Sequence, residues 1–125
     1  MSALIVQGQA WKGAGVVNMG RAVNSLGISM NQSMISTVTY ALYKRATGVV
    51  VVAAGTSLTL ATVVFNSLQV TDIWTKDATG YNFRHDAAAL ADGNTWYRYV
   101  YTFTPTSGQP FIGVFDVLNK DPVPA

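Results

Sequence analysis

Residues 96–103 alternate without a break. Tyr97, Tyr99, Tyr101 and Phe103 project one way, and Trp96, Arg98, Val100 and Thr102 the other. A period of two sustained over that length is not a helical pattern; it marks a β-strand with two unlike faces. The pattern stops in residues 104–110, where Pro105, Gly108 and Pro110 supply turn chemistry, and resumes in residues 111–117. Two aromatic-rich strands around a Pro/Gly turn predict a long hairpin. Any fold open to this chain must bury that aromatic row. Tyr97, Tyr99, Tyr101, Phe103, Phe111 and Phe115, with Trp74, are therefore the expected structural core.

Upstream, the same pattern recurs in shorter pieces. In residues 33–45, Val38, Tyr40 and Leu42 share one face, and Thr37, Thr39, Ala41 and Tyr43 the other, which predicts a strand. After a turn at 44–48, Val49, Val50, Val51 and Val52 read as a buried strand. Leu58, Leu60, Val63, Val64 and Phe65 read as a further strand or one short helical turn. Residues 70–75 read as a strand, 76–80 as a turn built on Asp77 and Gly80, and 81–85 as a strand with Tyr81 and Phe83 on one face. Residues 86–94 have room for a helical turn. Short strands separated by turn signals predict an all-β antiparallel sandwich. No repeat of about 20–50 residues occurs, which argues against solenoids and propellers.

The sandwich is expected over residues 33–118, with a C-terminal tail at 119–125. Residues 1–32, punctuated by Gly8, Gly13, Gly15, Gly20 and Gly27, fit an extended N-terminal arm or an ordinary first strand. They lack the basic start and long apolar run of a secretory signal. On the arm reading, Leu4, Ile5, Val6, Trp11, Val16, Val17 and Arg21 are candidate protein-interface residues.

Only 11% of the 125 residues are charged while 50% are hydrophobic; ordinary soluble domains carry about 25% charge. A single small domain with so little charge is expected to have apolar surface covered by other chains, as a homo-oligomer or multi-copy assembly. A monomer with a Ser/Thr/Asn-rich surface is the alternative. Residues 1–71 hold Lys12, Arg21, Lys44 and Arg45 and no acid, for +4; residues 72–125 sum to −2. Four scattered cations make no nucleic-acid footprint. Residues 46–71 carry no charge and follow Lys44 and Arg45, a membrane-like pattern. Thr47, Gly48, Gly55, Thr56, Ser57, Asn66 and Gln69 interrupt it, so two core strands are the expected reading, with no membrane.

Reactive chemistry is sparse. Without Cys there is neither a disulfide nor a thiolate site. His85 and Asp86 are neighbours on a strand and point to opposite faces, so His85 is expected at the surface. Asp72, Asp77 and Asp92 lack the spacing of a Ca²⁺ loop and read as turn formers. Gly13-x-Gly15 lacks the rest of a dinucleotide fingerprint. No catalytic residue, metal or cofactor is expected, and the chain reads as a non-enzyme. A second reading is a carbohydrate- or surface-binding module that uses Trp96, Tyr97, Tyr99 and Tyr101 as a platform.

Leu90-x-Asp92-Gly93-x-x-x-Tyr97-x-Tyr99 resembles the turn into strand F of an immunoglobulin-like domain. The resemblance implies that Tyr97 is the tyrosine corner, with Trp96 as its rival because the spacing is one residue off the commonest form. Tyr99 then stands where antibody domains have Cys, and Trp74 is the candidate core tryptophan. Over residues 33–118 the run from Trp74 through Asp77, Gly80 and Tyr81 to His85, the Tyr-rich strand, and Pro105-x-x-Gly108-x-Pro110-Phe111 are similar to small immunoglobulin-like virion accessory proteins of tailed bacteriophages. That similarity implies a virion location, a capsid-decoration or cement role, and the major capsid protein or other virion proteins as partners.

Overall fold

The structure is a computed structural model, and it describes residues 5–23, 27–71 and 74–123. The described chain forms eight strands: β1 (Ile5–Trp11), β2 (Val16–Gly20), β3 (Ile35–Lys44), β4 (Val50–Leu58), β5 (Val64–Gln69), β6 (Tyr81–Ala87), β7 (Thr95–Pro105) and β8 (Phe111–Lys120). A four-residue helix, α1 (Leu60–Val63), and a 3₁₀ turn at Gln32–Met34 complete it. The strands make two packed sheets, ordered β1-β8-β7-β3-β4 and β2-β6-β5. Every pairing is antiparallel except β1 with β8.

The β7–β8 hairpin runs in register from Thr95 opposite Asn119 to Phe103 opposite Phe111. Its alternation puts Tyr97, Tyr99, Tyr101 and Phe103 at 4% exposure or less. Phe115 is buried from β8, and Phe111 is half-buried against the same cluster. The facing sheet supplies Phe83, whose ring lies 4.8 Å from Tyr101, 5.2 Å from Phe103 and 6.1 Å from Phe115. These edge and tilted ring contacts lock the two sheets together. Gly80, at φ +95°, brings the backbone into β6 so closely that a Cβ there would strike the Gln69 carbonyl, so only glycine fits.

Five expectations are corrected. The two strands described within residues 1–32 are not a separate arm: β1 extends the large sheet and β2 the small one, because both pair along their length with other strands. Val49, Val50 and Val51 are exposed, at 52%, 56% and 47%; β4 is the last strand of its sheet, so no neighbour covers it. Residues 70, 71, 74 and 75 form no strand, and Asp72 and Ile73 lie outside the described residues. Residues 88–94 contain no helical turn. β8 continues to Lys120, two residues past the expected end of the sandwich.

Candidate interaction surfaces

Two sides of the molecule present edge strands. One side joins the free edges of β4 and β5 through α1, and residues 46–71 form it without a single charged group. Val49, Val50, Val51, Leu68 and Val70 are its exposed large apolar residues. β4 has neither Lys nor Pro to blunt its edge, although its register with β3 shifts twice between residues 50 and 56. Between β4 and the loop after β6 lies a groove of about 420 Å³. Val50 and Val52 form one wall, Ala89 and Leu90 another, and Tyr97 and Tyr99 line it as well. Lys44 and Asp92 meet there as an ion pair. That contact holds the Asp92 carboxyl below its ordinary range and raises the Lys44 ammonium, chiefly through their mutual hydrogen bond. The groove's ionic groups thus satisfy each other. The Tyr99 hydroxyl does not: it is buried and finds no hydrogen-bond partner among the described residues. Burial raises its pKa, with Tyr40 adding to the effect.

The opposite side holds most of the expected interface residues, and they divide. Trp11 is 54% exposed, with the Lys120 ammonium 5.8 Å from its ring, and Val17 is exposed too. Val6 is half-buried against the core. Val16 is corrected from interface to core, at 4% exposure, because its place on β2 faces the large sheet. Arg21 pairs with Asp77 at 2.8 Å and donates to the Gly80 carbonyl at 3.1 Å. Ile5 pairs through its backbone with Val114, and Leu4 lies outside the described residues. Trp74 is also corrected: it is half-buried at the rim, its ring tilted against Tyr81 at 5.4 Å and its indole N–H donating to Asp77, rather than central. Asp77 serves its turn, accepting from the Thr79 and Gly80 amides. The Arg21 hydrogen bond, with the Gly80 amide next, brings its pKa down to about 2.

His85 is buried, not at the surface as expected. It continues the inward face of Tyr81 and Phe83, and Asp86 turns outward to Arg84 at 2.7 Å. Its Nδ1 lies 2.7 Å from the Tyr101 hydroxyl, which accepts from Asn18 Nδ2 at 2.8 Å. Burial lowers the imidazole pKa. With the ring proton on Nε2, Nδ1 accepts, and Tyr101 receives one hydrogen bond and donates the other. The Tyr row, being core, offers no aromatic platform, which removes the structural basis of the carbohydrate reading. Trp96 is half-buried beneath the Arg45 guanidinium, 4.3 Å from its ring.

Sequence reasoning missed the buried polar residues. Asn82, 1% exposed, bonds the Ala22 amide at 2.6 Å and the Ala22 and Met30 carbonyls at 3.0 and 2.8 Å. Asn119 donates to the Leu90 and Asp92 carbonyls and secures the loop that borders the groove. Asp116 receives Arg98 in a bidentate pair at 2.7 and 3.0 Å and Arg45 at 3.2 Å. Asn18, His85 and Asn119 had a readable signal, since each falls in phase with apolar neighbours on its strand. Asn82 had none.

Among the described residues no group of three or more His, Asp or Glu is placed to hold a metal ion, and no helix is long and apolar enough to cross a membrane. Comparison with protein-family models, curated proteins and solved structures finds no match to this chain.

Proposed function

We propose that this chain is a non-enzymatic structural subunit of a virion, an immunoglobulin-like sandwich that decorates or cements a capsid by binding coat protein or other virion proteins. The observation that carries the reading is the uncharged β4–α1–β5 side, with five large apolar side chains open to solvent. A surface of that kind is stable in an assembly where another polypeptide covers it. Specific contacts of this type bury on the order of 1,000 Å² or more.

The immunoglobulin-like part of the reading draws support from strand order. β8-β7-β3-β4 follows the G-F-C-C′ order of a variable-type domain, and β2-β6-β5 follows B-E-D. The Tyr97 hydroxyl accepts from the Asp92 amide at 3.0 Å, the contact of a tyrosine corner. A hydrogen bond from Asn18 to Tyr101 joins β2 and β7, the strand pair that antibody domains bridge by a disulfide, two residues beyond the Cys-equivalent Tyr99. The core tryptophan of that family has no counterpart here.

Two observations test the role. Capsid and portal genes are expected beside the gene for this chain, and the chain is expected to travel with particles of that virus through a density gradient. A chain that stays at the top of the gradient, apart from its own particles, overturns the virion role.

A further inference from the structure

We infer that the β4 edge is a strand-addition site. It takes an extended, uncharged segment of a partner protein and seats one or more of that segment's large apolar side chains in the groove beside Tyr99. The inference rests on the reading that another polypeptide covers the 46–71 side, and it names the mode and the chemistry of that contact.

Two independent features converge on a peptide rather than a small molecule. β4 ends its sheet, and its register with β3 shifts twice between residues 50 and 56. Among the described residues its outward edge has no strand partner on either side of those bulges, and another main chain can pair with it there. The groove beside it, at about 420 Å³, falls among ligand sites of about 300–1,000 Å³ and has their make-up, apolar walls with few polar groups. An added strand presents alternate side chains to one face, so a segment paired to β4 can direct side chains into the groove while its backbone completes the sheet.

Charge narrows the partner. No residue from 46 to 71 is charged, and the Lys44–Asp92 pair is already matched. A charged occupant would lose its hydration without gaining a counter-ion. Backbone pairing gives affinity, and the apolar groove gives selectivity.

A random displayed peptide library selected on the full chain tests this directly. The recovered peptides should be uncharged, with large apolar residues at alternate positions, and their binding should slow amide exchange along β4. Val51→Lys, which places a charge on the edge, and Ala89→Trp, which fills the groove, should each abolish binding. Both sites are exposed, so the fold is expected to survive. The site is overturned by no enrichment, by a charged consensus, by protection on the β1–β2 side, or by undiminished binding to Val51→Lys and Ala89→Trp. A wild-type dimer that Val51→Lys dissolves assigns the edge to a second copy and overturns a foreign partner strand. Peptide binding at β4 by a chain that fails to travel with virus particles would sink the virion role and leave the strand-addition site standing.

Discussion

Replacing Asn82 with alanine should cost more stability than any exposed substitution in the molecule. The side chain is 1% exposed and makes three hydrogen bonds to the backbone at Ala22 and Met30. The Ala22 carbonyl keeps a second donor, the Met30 amide at 2.8 Å. The Ala22 amide and the Met30 carbonyl each lose their side-chain partner in the interior. An orphaned buried backbone group costs about 1–3 kcal/mol, so the two together should cost about 2–6 kcal/mol. A domain of this size is stable by about 5–15 kcal/mol, so the loss is a large fraction of the total. At about 4 °C per kcal/mol, the melting temperature should drop by about 8–24 °C. Urea unfolding measures it as a lower midpoint with an unchanged slope. Asn82→Asp provides the internal control. It keeps the acceptor for the Ala22 amide but turns the two donated bonds into an anion facing carbonyls, so it should unfold more easily than the alanine variant. A cost below about 1 kcal/mol for alanine, or an aspartate variant as stable as wild type, would refute the three-bond clamp.

Three further outcomes are expected. Burial holds the His85 pKa below 6.5 in the folded chain, so the unfolded chain binds the proton first; stability is full above about pH 6.5 and falls below it, by up to about 1.4 kcal/mol per pH unit. Urea midpoints measured from neutral to mildly acid pH should show this slope, and His85→Gln should flatten it; an equal slope in the variant would exclude His85 as its source. Tyr97→Phe removes the acceptor of the Asp92 amide and should cost about 1–2 kcal/mol, with amide exchange at Asp92 as the local readout. Arg98→Ala strips the nearly inaccessible Asp116 carboxylate of its bidentate partner. The hydrogen bond to Arg98 is the main reason that carboxyl titrates low, so its stabilisation, present above the unfolded pKa and lost as pH falls through the folded one, should vanish at higher pH in the variant than in wild type.

Period and turn chemistry sufficed for the β7–β8 hairpin, because alternation there is uninterrupted and both faces are chemically distinct. β3 and β6 were legible for the same reason. The run of four valines was misread because burial and edge position share one signature: β-branched, apolar and uncharged. Only the sheet order separates them, and residues far away in the chain set that order. The fault at His85 was of another kind. Its phase with Tyr81 and Phe83 placed it inside, but its polarity argued for solvent, and the Tyr101 hydroxyl that resolves the conflict lies sixteen positions away. Residues 1–32 looked irregular because β1 and β2 are short, belong to different sheets and meet at a turn through Gly13, at φ +91°. The groove is a property of the assembled sheets, contributed by β3, β4, β7 and the 87–92 loop, and no single segment announces it.

The parallel pairing of β1 with β8 has a mechanical consequence. Seven registered positions, from Ile5 opposite Val114 to Trp11 opposite Lys120, tie the first described strand to the last. Because the two run the same way, tension applied at Ile5 and Lys120 slides one strand along the other and loads the whole ladder at once. Tension on the tip between β7 and β8 would instead peel rungs one after another. Optical-trap traces should accordingly show a high rupture force for the first geometry and a low one for the second, as suits a bolt under shear.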